Sequence, residues 1–407
     1  MKLMGMLLFF ALPILAMAYI AWHVWTLLPL AAPWKLVVII LGILSFLTLF
    51  LVFGRRTDAL PLSVAQALYE VGTSSVIVML YLVLLFLVLD LGRLCHLVPR
   101  QLLCANWHMT IAIVIVITGL FVYGNIHYKN KVRVALELTT DKPLPRNYRM
   151  VMATDLHIGY HNTRSELARW VDIINAEQPD LILFAGDIID GSMRPIIEEN
   201  MAQEFRRLKA PVYACLGNHE YFSGAPEAQQ FYRDAGIHLL IDDYAVIDSC
   251  LLIIGRDDRS NRLRKPIDDL IASHSCAPIP ADAPTRLSVA NEQMSSAKFK
   301  VQSSKFKANE APSGAVGGAF TILLDHQPHN LDQAEQAGVD FQFSGHTHRG
   351  QVWPISWITD AVYECSWGNH QRGRTRYYVS SGLGIWGGKF RIGTQSEYVV
   401  ATLKGEK

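Results

Sequence analysis

The first 126 residues of this 407-residue chain are strongly apolar, and this limits what the chain can fold into more than any other feature. A helix needs about 20 apolar residues to cross the hydrocarbon core of a bilayer. Four segments of this character follow one another, so the sequence predicts an all-α region of four transmembrane helices over residues 1–126. They run from about Leu3 to Ile20, Leu36 to Phe53, Ser75 to Leu91 and Ile111 to Tyr123.

The first segment has an alternative interpretation. Ala16-Met17-Ala18 resembles the small-residue site at which a secretory signal is cleaved. Against cleavage, Lys2 is the only basic residue before the segment, and apolar sequence continues through Trp25. We therefore expect a retained helix.

Composition and charge indicate which partners to expect. Apolar residues make up 51% of the chain and charged residues 18%, which is below the roughly 25% of soluble domains. The 37 basic and 36 acidic side chains nearly cancel, so the chain lacks the basic footprint of nucleic-acid-binding proteins. We expect membrane lipids as partners and no nucleic acid.

Basic residues in the short loops predict how the helices are oriented, because Lys and Arg accumulate on the cytoplasmic side. With four helices, six of these residues fall on the side of the C-terminal part and three on the other side. The expected location is the inner membrane, with several spans and the C-terminal part in the cytoplasm. The six are Lys2, Arg55, Arg56, Lys129, Lys131 and Arg133, and the three are Lys35, Arg93 and Arg100.

Residues 148–407 have an ordinary globular composition and alternate β-rich runs with helical patterns. Runs such as LILFAG and AVIDSCLLIIG read as strands, while TRSELARWVDIINAEQ repeats apolar residues at helical spacing. This alternation predicts an α/β domain. Residues 127–147 read as a linker, and about 273–318 as a polar surface insertion rich in Ala, Ser, Pro, Lys and Gln.

Residues that can bind a metal ion stand immediately after five of the predicted strands. Loops beyond the carboxyl ends of the strands of an α/β sheet meet at one crevice, so these side chains can share one site. Taken singly, each has a structural explanation, since Asp155 and Asp187 could cap helices and Asn218 could stabilise a turn. Their coincidence at five strand ends is not explained that way. The residues are Asp155, His157, Asp187, Asp190, Asn218, His219, His326, His346 and His348.

The chemical types of these side chains indicate the metal. Carboxylate, imidazole and amide oxygen together suit manganese, iron or zinc, and do not make a thiolate zinc site. Seven of these groups acting as ligands would exceed the four that one tetrahedral ion takes. They suit two ions about 3.5–4 Å apart that share a bridging carboxylate, an arrangement that activates water for attack on phosphate esters. The sequence predicts two divalent ions, with manganese favoured. Gly186, Gly217 and Gly345 directly precede candidate ligands and allow tight turns there.

The motifs D-x-H, G-D-x-x-D, G-N-H-E, the lone His of LLDHQP and G-H-x-H occur in this order over residues 148–404. In this combination the chain resembles the calcineurin-like metallophosphoesterase superfamily. The later segments GHTHRGQV and YYVSSGLGIWGGKFRIG resemble those of the bacterial membrane-anchored branch of this superfamily. The resemblance implies an α/β fold in which two β-sheets form a sandwich flanked by helices. It also implies a metal-dependent phosphoesterase, in which a metal-activated hydroxide attacks a phosphoester or pyrophosphate.

The resemblance further implies a role for each residue. Asp187 would bridge the two ions, and His219 would be catalytic, stabilising charge on phosphorus or protonating the leaving oxygen. Asp190 would support the ligands by hydrogen bonds. Arg349 stands where the branch often has glycine, and could bind a second phosphate or a carboxylate of the substrate, or face solvent. The ligand sets are Asp155, His157, Asp187 and His348 for one metal, and Asp187, Asn218, His326 and His346 for the other.

The sequence leaves the substrate open. The membrane region favours a lipid-linked substrate, since related enzymes of the superfamily cleave the pyrophosphate of UDP-diacylglucosamine. A general or nucleotide phosphodiesterase is the alternative. A third hypothesis makes the helices a sensor or transporter regulated by the phosphoesterase domain. The predicted spans carry almost no charge apart from Asp90, which favours a plain anchor.

Overall fold

The computed structural model describes residues 2–53, 56–275 and 318–406. Apart from its two ends, the polar insertion predicted at about 273–318 lies outside these residues. The helices are α1 (Lys2–Leu27), α2 (Ala32–Phe53), α3 (Leu62–Leu94), α4 (Trp107–Lys129), α5 (Arg164–Ala176), α6 (Arg194–Glu198), α7 (Ala202–Phe205), α8 (Asn218–Ser223), α9 (Ala225–Ala235), α10 (Ile267–Ser275), α11 (Asp332–Gln336) and α12 (Ile355–Val362), with short 3-10 segments at Arg56–Ala59, Arg100–Leu103 and His348–Gly350. The strands are β1 (Lys131–Thr140), β2 (Tyr148–Ala153), β3 (Leu181–Ala185), β4 (Val212–Cys215), β5 (His238–Leu239), β6 (Asp243–Ile247), β7 (Leu251–Gly255), β8 (Phe320–Leu324), β9 (Phe341–Ser344), β10 (Gly368–Arg372), β11 (Thr375–Val379) and β12 (Ser396–Gly405).

Four long helices, α1 to α4, stand at the four predicted transmembrane segments. Among the described residues, three helices are long and apolar enough to cross a membrane: α3, α4 and the Ala32–Leu51 part of α2. The side chains described for α1 form a shorter apolar stretch, Ala11–Leu27, so its crossing of the membrane stays a prediction. Helix α3 begins at Leu62, well before the predicted start at Ser75, and its first turns extend toward the globular domain.

Two six-stranded mixed sheets form the centre of the globular domain. The first has the order β1-β12-β2-β3-β4-β5, in which β2 to β5 are parallel and β12 runs antiparallel to β2. The second has the order β10-β11-β9-β8-β7-β6, with antiparallel strands at both edges. The predicted α/β fold, two sheets in a sandwich flanked by helices, is confirmed.

Alternating side chains build the layers, because successive residues of a strand point to opposite faces of its sheet. In β2, Met150 and Met152 lie in the apolar core between the two sheets. Val151 and Ala153 instead belong to a core that the first sheet shares with α5 and α9. A third core lies between the second sheet and the helices α10 and α11. The order of layers is therefore helix, sheet, sheet, helix.

Part of the predicted linker, residues 127–147, is a strand. β1 follows α4 after one residue and pairs in parallel with β12 over its whole length, from Lys131 opposite Ser396 to Thr140 opposite Gly405. Leu138 reaches the core between the sheets. The linker prediction was wrong here, although KVRVALELTT alternates apolar and polar residues as a strand does. The other domain boundaries stay predictions.

The segment AVIDSCLLIIG, predicted as one strand, contributes to two. β6 and β7 pair antiparallel, and the turn between them contains Asp248 and Ser249, which have φ values of +49° and +56°. Asp and Ser are common turn residues because their side chains bond to nearby backbone. The pair D-S inside an apolar run therefore marks a hairpin.

Candidate metal centre

The predicted metal ligands lie together where the carboxyl ends of strands from both sheets meet. Asp155 and His157 follow β2, Asp187 follows β3 and Asn218 follows β4 in the first sheet, while His326 follows β8 and His346 and His348 follow β9 in the second. Within the described part of the chain, three overlapping groups hold their ligand atoms within 4.8 Å of one another. These groups are Asp155–His157–His348, His157–Asp187–His219 and Asp187–His326–His346.

Asp187 lies between the two predicted metal positions. Its Oδ2 atom is 3.8 Å from Nε2 of His157 and 3.0 Å from Nε2 of His326. On the His157 side, Oδ1 of Asp155 is 3.7 Å from Nε2 of His157 and 3.3 Å from Nε2 of His348. The geometry fits the bridge that the resemblance implies.

Buried atoms without a hydrogen-bond partner show that these residues fit metal ions. Nδ1–H of His326 donates to the carbonyl of Ala185 at 2.7 Å, so in the neutral ring Nε2 carries a lone pair next to Asp187. That Nε2 atom of His326 is buried and has no hydrogen-bond partner among the described residues. Oδ1 of Asn218 is buried and has no hydrogen-bond partner among the described residues. Lone pairs gathered in this way are costly without a cation between them.

The charges of the centre lead to the same conclusion. Burial would raise the pKa values of Asp155, Asp187 and Asp190, but the surrounding imidazoles lower all three below the usual range. Burial opposes protonation of His157, yet the nearby carboxylates of Asp155 and Asp190 outweigh burial and raise its pKa to about 10. Burial lowers the pKa of His348 to about 3. The buried carboxylates need compensating positive charge, which divalent cations supply when they bind.

The loops hold the ligands in backbone conformations that few residues other than glycine adopt. A left-handed or otherwise rare conformation costs of order 1–3 kcal/mol, and persists where the surroundings impose it. A Cβ atom on Gly217 would lie 2.2 Å from Oδ1 of Asp187, and one on Gly345 would lie 2.2 Å from Oδ2 of Asp155. The backbone therefore comes close to the ligands at these two glycines. The predicted ligands with φ between +46° and +70° are Asp155, His157, Asp187, His346 and His348.

Asp190 accepts one hydrogen bond from His219 and another from a residue of the N-terminal helical region. Oδ1 of Asp190 accepts from Nδ1–H of His219 at 2.9 Å and lies 3.8 Å from Nδ1 of His157. Its Oδ2 accepts from the hydroxyl of Tyr69 at 2.5 Å. Tyr69 is buried on α3, 121 residues earlier in the chain. The sequence gives no sign of this contact.

Glu220, the last residue of G-N-H-E, was not predicted as a site residue. It is buried, and its Oε2 accepts from the backbone N–H of Asp187 at 3.1 Å and of Gly217 at 2.7 Å. Its Oε1 accepts from N–H of Ile189 at 3.0 Å. Burial raises the pKa of Glu220. This carboxylate fixes the loops after β3 and β4 relative to each other, and its position within the motif is the signal that could have identified it.

Arg349 lies over an aromatic ring at the edge of the centre. Its Cζ atom is 3.9 Å from the ring centre of Trp367, and Nε1 of Trp367 donates to Glu397 at 3.1 Å. The side chain is half-buried rather than open to solvent. Its contact with substrate stays a prediction.

Residues 148–350 match the family model of the calcineurin-like phosphoesterases. The chain belongs to the calcineurin-like metallophosphoesterase superfamily. It is a metal-dependent phosphohydrolase whose catalytic domain follows a membrane-associated helical region.

Two relatives agree with this assignment. An uncharacterized metallophosphoesterase of Campylobacter jejuni is 27% identical over 300 residues, covering 72% of this chain and 69% of the relative. A transmembrane protein with metallophosphoesterase domain from Danio rerio is 26% identical over 350 residues, covering 80% of this chain and 71% of the relative. The second alignment covers more of the chain than residues 148–407 supply, so it reaches into the helical region.

Similarity to solved structures is low. The crystal structure of a 5'-nucleotidase precursor from Thermus thermophilus aligns with 63% of this chain and 55% of its own, at 14% identity and a TM-score of 0.33. A likeness of this size supports no argument about activity.

Proposed function

We propose that the chain hydrolyses a phosphoester or pyrophosphate of a lipid-linked substrate, such as UDP-diacylglucosamine, at a two-metal centre beside the bilayer. The observation that carries this proposal is the hydrogen bond between Tyr69 and Asp190. Because Tyr69 belongs to a candidate membrane helix, the centre lies close to that helix, and a phosphate attached to a membrane lipid is within its reach.

Aromatic side chains border the centre near α3. The rings of Phe222 and Trp386 lie 5.3 Å and 6.4 Å from that of His219, and the two residues are 62% and 41% exposed. The next residue, Gly387, approaches α3 so closely that a Cβ atom there would lie 3.6 Å from Thr73. An exposed aromatic rim next to a membrane helix suits a substrate with a lipid tail better than a soluble nucleotide.

The proposed metal ligands divide into the two sets given above, with Asp187 in both. Bound divalent ions supply Lewis acidity and positive charge at the phosphoryl group. The donors are nitrogen and oxygen atoms, for which we propose manganese ahead of iron or zinc. Metal analysis of the purified protein by mass spectrometry tests this choice, and a single zinc ion per chain would contradict it.

His219 is the proposed proton donor. Because Asp190 accepts from Nδ1–H, the ring is fixed in orientation and Nε2 is left to hand a proton to the leaving oxygen. The side chain of His219 is partly exposed, as contact with substrate requires.

The location is proposed from the loop charges. A multi-pass inner-membrane protein with its catalytic domain in the cytoplasm follows from the excess of Lys and Arg on that side. A reporter fused after Lys407 and active only in the cytoplasm is the expected result, and activity only in the periplasm would reverse the orientation.

The pairing of Asp90 argues against a transporter. Its carboxylate accepts from the hydroxyl of Tyr19 at 2.7 Å and lies 3.1 Å from Nε2 of His23. The carboxylate of Asp90 therefore serves as a contact between α1 and α3. For this reason we do not propose a sensor or transporter function.

The test compares two substrates with related headgroups, UDP-diacylglucosamine and the unacylated UDP-N-acetylglucosamine. The full-length protein in lipid vesicles with manganese is expected to show a kcat/KM higher by about tenfold or more for the acylated substrate. Asp187→Asn serves as the control for hydrolysis by contaminants. Equal kcat/KM values would instead favour a general or nucleotide phosphodiesterase, and no activity on either would remove this substrate class.

A further inference from the structure

Helix α12 exposes an apolar surface beside the metal centre. It begins at Ile355, shortly after the G-H-T-H motif. Trp357, Ile358 and Val362 are 64%, 62% and 64% exposed, whereas Ser356 is buried. Large apolar side chains grouped on the surface of a domain indicate that something covers them.

The start of α12 is attached to α3. The hydroxyl of Tyr81 donates to the carbonyl of Trp353 at 2.6 Å. Val352 shares a buried apolar cluster with Ile77 and Tyr81. The ring of Trp353 meets that of Trp357 edge to face, with centres 5.3 Å apart. The exposed apolar surface of α12 is therefore continuous with the surface of a candidate membrane helix.

The position of Tyr81 along α3 indicates the depth of this attachment. Gly72 packs against Leu49, which is near the end of the apolar span Ala32–Leu51 of α2. Tyr81 lies nine residues further along α3, about 14 Å at 1.5 Å per residue, toward the middle of that span. Trp353 is thus at the level of apolar helix surface that a bilayer would surround.

We propose that α12 inserts into the bilayer next to α3 and holds the metal centre at the membrane surface. The helix has two faces, because its apolar side chains point outward while Ser356 is buried. Asp360 is exposed and accepts from the hydroxyl of Ser366. Gln351 donates to the carbonyl of Gly388 at 3.1 Å, which joins this segment to the loop of Trp386. The loop that supplies His346 and His348 therefore continues directly into the lipid contact.

A spin label on Ile358→Cys tests the insertion in full-length protein in phosphatidylglycerol–phosphatidylethanolamine vesicles. The background carries serine in place of the exposed Cys95 and Cys104, and of Cys276. The label is expected to collide more often with oxygen, which concentrates in lipid, than with a water-soluble nickel complex.

The matched control is Val246→Cys. Val246 is 40% exposed on the edge strand β6, and it pairs with Leu252 at the end of the strands opposite to the metal centre. Its label is expected to prefer the nickel complex. The same preference at position 358 would overturn the proposal, and so would shielding from both reagents, which would indicate a protein contact such as a second copy of the chain. Because no turnover is measured, the outcome does not depend on the proposed substrate.

Discussion

Asp187 joins the two halves of the metal centre, since one of its oxygens faces both His157 and His326. Its other oxygen accepts from the backbone N–H of His219 at 2.9 Å. The same carboxylate therefore places the proposed metals and the proposed proton donor relative to one another. Removing its charge should affect all of them together.

The variant Asp187→Asn is expected to lose bound metal and to lower kcat by about a thousandfold, because metal-centred stabilisation of charge supplies several kcal/mol. Metal content by mass spectrometry and hydrolysis of a bis-aryl phosphodiester measure the two effects. Asp172→Asn, at an exposed carboxylate that pairs with Arg207, is the matched control and should behave as wild type. Full metal content and undiminished activity in Asp187→Asn would contradict the two-metal assignment.

Tyr69 is expected to act as a positioning residue through Asp190. Tyr69→Phe removes the hydroxyl that holds one oxygen of Asp190, so kcat should fall by about 10–100-fold while KM changes little. Tyr81→Phe is the control, because it removes a buried hydroxyl of the same helix that bonds to Trp353 instead. If both variants lower kcat equally, or neither does, Tyr69 has no specific role in the reaction.

Whether these residues can be recognised from the sequence depends on whether they stand in a short motif. Asp187 and His219 stand in short motifs at strand ends, where the geometry of a parallel sheet brings them together. Glu220 stands in such a motif too, and could have been found. Tyr69 reaches the centre only through the packing of α3 against the domain, so no local pattern reveals it.

At the scale of elements, β1 is part of the domain and not a connection to it. It runs beside β12 for ten residues and places Leu138 in the core between the sheets. Glu137, one position earlier, points outward and is paired with Lys404. Substitutions at Leu138 and Glu137 therefore test the buried face and the exposed face of the same strand separately.

Leu138→Ala is expected to lower the free energy of unfolding by about 2–5 kcal/mol, because it leaves a cavity in a close-packed core. Glu137→Ala should leave the thermal midpoint of unfolding nearly unchanged. Thermal unfolding of the full-length protein in detergent, followed by intrinsic fluorescence, compares the two. Equal midpoints would mean that β1 contributes little to the core.

Elements were predictable from the sequence where periodicity was long and clear. The helix α5 and strands such as β2, β3 and β8 match runs whose spacing is unambiguous. β1 was missed because it follows an apolar helix without a loop, and the β6–β7 hairpin because its turn is short. In both cases neighbouring apolar sequence obscured the boundary.

At the scale of the whole molecule, buried negative charge couples metal binding to stability. Asp155, Asp187, Asp190 and Glu220 are all buried within or next to one site. Residues from both sheets and from α3 meet there, so the site depends on the assembled domain. Cations that bind only this folded arrangement stabilise it.

Removal of metal with EDTA is expected to lower the thermal midpoint of the full-length protein, and manganese should restore it. The expected stabilisation is about 2.7 kcal/mol when free metal is about 100 times Kd. Asp187→Asn should respond much less. Identical thermal midpoints with and without metal would show that protonation of the buried carboxylates stabilises the domain as well as bound metal does.

The pairing of β12 between β1 and β2 has a consequence for biosynthesis. The ribosome makes β1 and β2 early and β12 after every other described strand, yet β12 is the neighbour of both. The first sheet therefore stays split until all the other described strands have emerged. Its closure is a late event, at a moment when α4 and β1 already hold the nascent domain close to the lipid.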